Sequence, residues 1–311
     1  MTTVAILGAG EIGGAAAHAL ATSDRVGRLL LVDPMGPVAA GKALDLRQAG
    51  AIDGSHTRLE GTDDATRVAG CDVCVVADRF GRAERANETQ VPNQPRVLTS
   101  ATEPLAGSAG EWRGEEGLAL LGQLAPYLGR APIVFAGALQ VDLLGAAATE
   151  LAIDRPRLLG SAPDAFASAV AAIVAVEANC SPRDVLLTVL GTPPSGLVIP
   201  WSEASIGGYG LQEVLAPVQF TRVEARVARL WPPGPYALGA AAARLVTAIV
   251  GASRQSVCVL TQLGGEFGVR NRPGCVSARV GPQGIIDIRV PELTIRERVQ
   301  VQTALGAAPG A

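Results

Sequence analysis

Val4-Ala5-Ile6-Leu7-Gly8-Ala9-Gly10-Glu11-Ile12-Gly13 begins as a short apolar strand and runs directly into a glycine-spaced turn. An Ala-rich helical stretch follows, to about residue 22. Gly8 permits a tight turn, Gly10 lets the backbone approach a ligand, and Gly13 lets the helix pack on the strand. The first amides of such a helix have no partner within it, and they lie at the positive end of its dipole, which suits phosphate. The next apolar strand, residues 29–32, ends in Asp33, twenty residues after Gly13. That spacing turns a weak motif into a dinucleotide-binding pattern. An acid there accepts hydrogen bonds from the adenosine ribose and repels a 2′-phosphate. The expected cofactor is therefore NAD, held by Gly8, Ala9, Gly10, Glu11, Ile12, Gly13 and Asp33.

Further along, a helical segment (38–48) precedes a short element before Gly61, and residues 71–77 read as a buried strand. Residues 78–116 carry charge, Pro, Gly and Ser without a clear period, which is long for a loop inside a compact domain. A helix (116–124) and a strand (133–136) follow. Alternating strands and helices predict a parallel sheet covered by helices. Beyond residue 150 the pattern becomes mixed. Long helices are expected at 164–178, 211–230 and 237–250, and strands at 185–190, 197–199, 256–260, 276–280 and 285–290. A last helix begins at Thr294, with Glu297 three residues on as its capping-box partner. The expected fold class is α/β: a Rossmann doubly wound parallel sheet over residues 1–150, followed by an α+β domain over 151–311.

Composition bounds the function. The chain has 311 residues, 48% hydrophobic and 18% charged, with a formal net charge of −3, and its basic residues are Arg apart from Lys42. A nucleic-acid surface would need clustered basic charge. No apolar run is long enough to span a bilayer, and no signal segment is read at the start, so the cytoplasm is expected. Five cysteines in no framework spacing fit a reducing compartment. Cys71 and Cys74 form a C-x-x-C, but on a strand residues three apart face opposite ways. They read as buried apolar side chains, with no metal site.

Several segments resemble the lactate/malate dehydrogenase family. They are Ala39-Ala40-Gly41-Lys42-Ala43-Leu44-Asp45-Leu46, Gly61-Thr62-Asp63-Asp64, Val68-Ala69-Gly70-Cys71-Asp72-Val73, Ile206-Gly207-Gly208, Tyr236-Ala237-Leu238-Gly239-Ala240-Ala241 and Gly264-Gly265-Glu266-Phe267-Gly268-Val269. They fall in family order over almost the whole chain. The resemblance implies an NAD domain followed by a substrate domain, assembled as a homodimer or homotetramer, acting on a small-molecule substrate.

It also implies a catalytic histidine, a carboxylate that orients it, and arginines that grip the substrate carboxylate. Here the base position falls on Pro193, in Gly191-Thr192-Pro193-Pro194-Ser195-Gly196. The orienting acid and a helical arginine fall on Phe166 and Ala169, with Asp164 two residues early. The loop that would present an Asn near the nicotinamide reads Leu139-Gln140-Val141-Asp142. The only histidines, His18 and His56, lie elsewhere. No catalytic residue is assigned. Among Arg79, Arg82, Arg85 and Arg113, the substrate-binding candidates are Arg82 and Arg113. Two functions stay open: an NAD-binding family member that has lost 2-hydroxy acid dehydrogenase activity, or an active NAD-dependent oxidoreductase with a non-histidine relay through Asp142, Asp164, Ser195 or Tyr209. A third is a protein that works only by association.

Overall fold

The computed structural model describes residues 1–79, 110–253 and 255–306. The first half runs β1 (Thr3–Leu7), α1 (Glu11–Ser23), β2 (Arg28–Val32), α2 (Gly36–Asp53), β3 (Arg58–Thr62), β4 (Val73–Val76), α3 (Gly114–Leu128), β5 (Ile133–Phe135), α4 (Val141–Thr149) and β6 (Leu158–Gly160). These six strands are parallel, in the order β3-β2-β1-β4-β5-β6. Central strands of such a sheet are covered on both faces, so they carry continuous apolar sequence. β1 shows the consequence: Val4 and Ile6 enter one apolar cluster with α1, while Ala5 and Leu7 enter the opposite one with α3 and α4.

The second half continues with α5 (Ala162–Ala178), β7 (Val185–Leu186), β8 (Leu190–Thr192), β9 (Gly196–Val198), β10 (Ser205–Ile206), β11 (Tyr209–Gly210), α6 (Leu211–Val214), α7 (Pro217–Val227), α8 (Pro235–Val250), β12 (Ser256–Gly264), β13 (Arg270–Gly281), β14 (Gly284–Arg289) and α9 (Ile295–Ala304). Antiparallel β12, β13, β8 and β9 extend the parallel sheet beyond β6, and β14 pairs with β13. β7, β10 and β11 form a small separate sheet. Among the described residues no helix is long and apolar enough to cross a membrane.

Three expectations need correction. The helix expected over 211–230 is two helices, because Ala216 is extended (φ −63°, ψ 151°) before Pro217. The residue before a proline avoids the helical region, while proline itself suits a first helical position. The strand expected over 185–190 is likewise two short strands, β7 and β8. Cys71 precedes β4 rather than alternating within it, so Cys71 and Cys74 share one apolar cluster. Both are free and buried, and burial pushes the Cys71 thiol up to about 11, as expected of inert packing residues.

The start of α9 ties the C-terminus to the second half. The Thr294 amide and hydroxyl donate to Glu297 Oε2 at 3.0 and 2.7 Å, and the Ser202 hydroxyl donates to the same oxygen at 2.6 Å. The Ser202 amide donates to Oε1 at 3.0 Å. Burial raises the pKa of Glu297, but these bonds outweigh it and hold the carboxyl at about 2. Its stabilisation is therefore complete above the ordinary carboxylate range and is lost as pH falls through about 2. Glu297→Gln, which keeps part of the acceptor set, should cost about 1 kcal/mol at pH 7. The gap between wild type and variant should shrink below pH 4 in urea unfolding measurements.

Candidate active site

In the sheet order, the chain reverses direction of travel between β1 and β4. The crevice outside the carboxyl ends of those two strands is where open α/β sheets take ligands. The Gly8–Gly13 turn lies there, and Gly10 caps α1 with no side-chain hydrogen bond of its own. Gly8 has φ +97°, and a Cβ on it would lie 2.1 Å from the Asp78 carbonyl oxygen. The turn and the segment after β4 thus meet backbone to backbone, which only glycine allows. Asp33 sits at the end of β2, 4% exposed, and its oxygens accept from the amides of Ala9 (3.1 Å) and Met35 (3.0 Å). A carboxylate has about four acceptor sites, so two stay open to ribose hydroxyls.

The sequence reading missed the groups that fill the rest of the crevice. Asp78 lies two residues beyond the end of β4 and is 8% exposed. The Ile12 amide donates to its Oδ1 at 3.2 Å and the Gly13 amide to its Oδ2 at 2.7 Å. Lys42, whose Nζ donates to the Gly10 carbonyl at 2.8 Å, supplies a nearby positive charge. Across a bridge from Asp78 lies Glu111, 4% exposed, accepting from the amides of Ala138 (3.1 Å) and Leu139 (2.8 Å). Gln140 accepts from the Gly137 amide at 2.8 Å. In the sequence the apolar run ends at Ala77, and Asp78 opens the charged stretch that follows. An acid at the carboxyl end of a central parallel strand was the available clue.

Burial raises the proton affinity of Asp78 and Glu111 above the ordinary carboxylate level, against the pull of their backbone amides and of Lys42 and Arg113. A raised folded pKa gives stability that is fully present below the unfolded pKa and lost as pH rises through the folded value. Wild type should therefore gain stability relative to an Asp78→Asn/Glu111→Gln double variant between pH 7 and pH 5. Paired urea titrations at the two pH values check this, and an unchanged gap would refute it.

Of the positions expected to carry proton transfer, Phe166 on α5 lines a cavity of about 380 Å³, together with Pro194, Ser195, Trp201, Glu224 and Trp231. The Phe166 and Trp231 rings pack edge to face with centroids 6.0 Å apart. Pro193 is buried, at the β8–β9 turn. Of the proposed relay residues, Ser195 is on the cavity, whereas Asp142 and Tyr209 are exposed. Asp164 is buried on a second cavity of about 700 Å³, where Arg244 Nη1 lies 3.4 Å from its Oδ2. His18 is exposed, and His56 is exposed and paired with Asp24 at 3.2 Å. Arg113 is exposed at the start of α3, and Arg79 is paired with Glu116. Arg82 and Arg85 lie outside the described residues. No cluster of three or more His, Cys, Asp or Glu suited to a metal occurs among the described residues.

The turn, the acid after β2 and the strand order define a Rossmann-type dinucleotide-binding protein. Residues 2–86 match the lactate/malate dehydrogenase NAD binding domain. The chain is 27% identical to the malate dehydrogenase of Methanosarcina mazei, over 93% of its own length and 91% of that protein's. It is also 27% identical to the malate dehydrogenase of Thermomicrobium roseum, over 98% and 95%. Its fold is similar to the Aeropyrum pernix malate dehydrogenase (TM-score 0.79, 21% identity, 97% and 95% covered). It is equally similar to a Cryptosporidium parvum lactate dehydrogenase solved with lactic acid and NAD (TM-score 0.79, 19% identity, 98% and 95% covered). The first part of the chain is thus similar to the NAD-binding domain of lactate/malate dehydrogenases, and the fold of the whole chain is similar to theirs.

The residues fit that cofactor unevenly. Asp33 suits the adenosine ribose. A Cβ on Gly10, the glycine that lets the backbone approach a diphosphate, would lie 2.4 Å from Asp78 Cγ. The phosphate cradle as it stands is filled by the chain's own carboxylate.

Proposed function

We propose that this chain is an NAD-binding member of the lactate/malate dehydrogenase family that has lost 2-hydroxy acid dehydrogenase activity. One observation carries the reading: the positions expected to hold base, orienting acid and arginine are Pro193, Phe166 and Ala169, and Phe166 lines an aromatic cavity. Neither proline nor phenylalanine can take a proton from a substrate hydroxyl. Loss of a general base alone costs about two to four orders of magnitude in rate. In this reading Gly8–Gly13 and Asp33 hold NAD, residues 1–150 form the cofactor domain and residues 151–311 the former substrate domain. Arg113, and Arg82 with it, keep at most a role in binding an anion. The protein works in the cytoplasm as a homodimer or homotetramer, which sedimentation of the purified chain would check.

The test is turnover. Oxaloacetate and pyruvate with NADH, and malate and lactate with NAD, are assayed beside the Methanosarcina mazei malate dehydrogenase named above. The expected kcat/KM is lower by about three orders of magnitude or more on each substrate. Turnover within tenfold of that enzyme would overturn the proposal.

A further inference from the structure

We infer that Asp78 is an internal competitor for the cofactor's diphosphate, so that NAD binds only by displacing this carboxylate and Asp78 sets the affinity for dinucleotides. The inference rests on NAD binding at the Gly8–Gly13 turn and does not depend on whether hydride transfer survives.

A helix N-terminus binds one anion well, because its free amides and its dipole converge on one spot. In α1 that spot holds the Asp78 carboxylate, on the Ile12 and Gly13 amides at 3.2 and 2.7 Å. The space over Gly10, which an approaching diphosphate needs, is occupied by the same group, with Cγ and Oδ1 at 2.4 and 2.6 Å from a Cβ built there. Carboxylate and diphosphate thus compete for the same donors and the same volume.

The carboxylate can leave only by rotating its side chain. The backbone nitrogen and carbonyl of Asp78 are wedged against Gly8, where a built Cβ would lie 2.7 and 2.1 Å away, and Asp78 bridges to Glu111 on its other side. Asp78 is 8% exposed, so a swing that stays inside the crevice moves its charge toward that second buried carboxylate. A diphosphate arriving with Asp78 still ionised meets a like charge at close range, where the effective dielectric is well below that of water. Lys42, on the Gly10 carbonyl at 2.8 Å, stands beside whichever anion is present.

The full-length chain and its Asp78→Asn and Asp78→Ala variants are titrated calorimetrically with NADH, with ADP-ribose and with adenosine, and their melting midpoints are recorded. Asparagine keeps the shape of the side chain and removes its charge, so it decides the matter should the alanine variant unfold. NADH and ADP-ribose, which carry the diphosphate, should bind about tenfold more tightly or better to the variants, the scale of removing one like charge and one competing set of hydrogen bonds. Adenosine, which lacks it, should change less than twofold. Unchanged or weaker NADH binding by folded Asp78→Asn, with wild type binding normally, overturns the competitor and leaves NAD binding intact. Equal tightening of all three ligands overturns it too, because that would be a general opening of the crevice. Failure of every form to bind NADH overturns both the competitor and the NAD reading.

Discussion

Replacing Gly239 with leucine should lower the unfolding free energy by about 3 kcal/mol, the upper part of the usual range for overpacking a core, and weaken NADH binding with it. Gly239 lies in α8 and faces α1. A Cβ built on it would be 2.5 Å from the Ala15 Cβ and 2.7 Å from the Ala16 amide nitrogen. The facing stretch of α1 is Gly13-Gly14-Ala15-Ala16-Ala17, side chains small enough to let the two helices touch almost at backbone distance. Leucine cannot fit between them, so α1 or α8 must move. Because α1 begins at the glycine turn, its displacement reaches the cofactor site. Gly239→Ala supplies the sign. On an exposed helix it would stabilise by about 1 kcal/mol, since alanine is the better helix former. Here the clash should win and the variant should melt lower. A higher melting midpoint for Gly239→Ala would show that α1 and α8 do not meet this closely. Urea unfolding and NADH titration of both variants give the answer.

The same helix pair shows how much of the fold could be read in the sequence. Tyr236-Ala237-Leu238-Gly239-Ala240-Ala241 stood out as a family segment, but nothing in one sequence said which helix Gly239 would touch. Elements set by local chemistry were legible. Val4–Leu7 is apolar throughout because both faces of β1 are covered. Thr294 and Glu297 mark the start of α9 because their capping box is local. The reach of Glu297 to Ser202, 95 residues away, was not, since it exists only after both ends of the second half have packed. β6 went unread because Leu158-Leu159-Gly160 is too short to show a period, yet it joins the parallel strands to the antiparallel ones. The candidate site divided in the same way. Gly8, Gly10, Gly13 and Asp33 were found through a spacing that one βαβ unit imposes. Asp78 and Glu111 were missed because their partners are amides 27 to 66 residues away in sequence.

Removal of the Arg244 side chain should cost about 2 kcal/mol at pH 7, below the 3–5 typical of breaking a fully buried pair because the guanidinium is half exposed and partly screened. Asp164 is 5% exposed, and burial raises its proton affinity despite the attraction of Arg244 and a hydrogen bond from the backbone at Cys258. Without the arginine, a buried negative charge loses its counter-ion, and the protein responds by holding a proton on it. The cost of Arg244→Ala should therefore fall as pH is lowered from 7 toward 5. It should also largely vanish in the Asp164→Asn background, where no charge is left to compensate. A double-mutant cycle in urea at the two pH values isolates that coupling. The cycle also tests what Asp164 is for. Phe166, two residues on, lines the aromatic cavity, whereas Asp164 lines the other one with Arg244, as a structural ion pair between α5 and α8 would. If Asp164→Asn instead abolished an NADH-dependent reaction and the cycle showed no coupling to Arg244, the acid would be a proton relay and the chain a working oxidoreductase. A coupling of the expected size, with no activity to lose, leaves Asp164 as part of the scaffold.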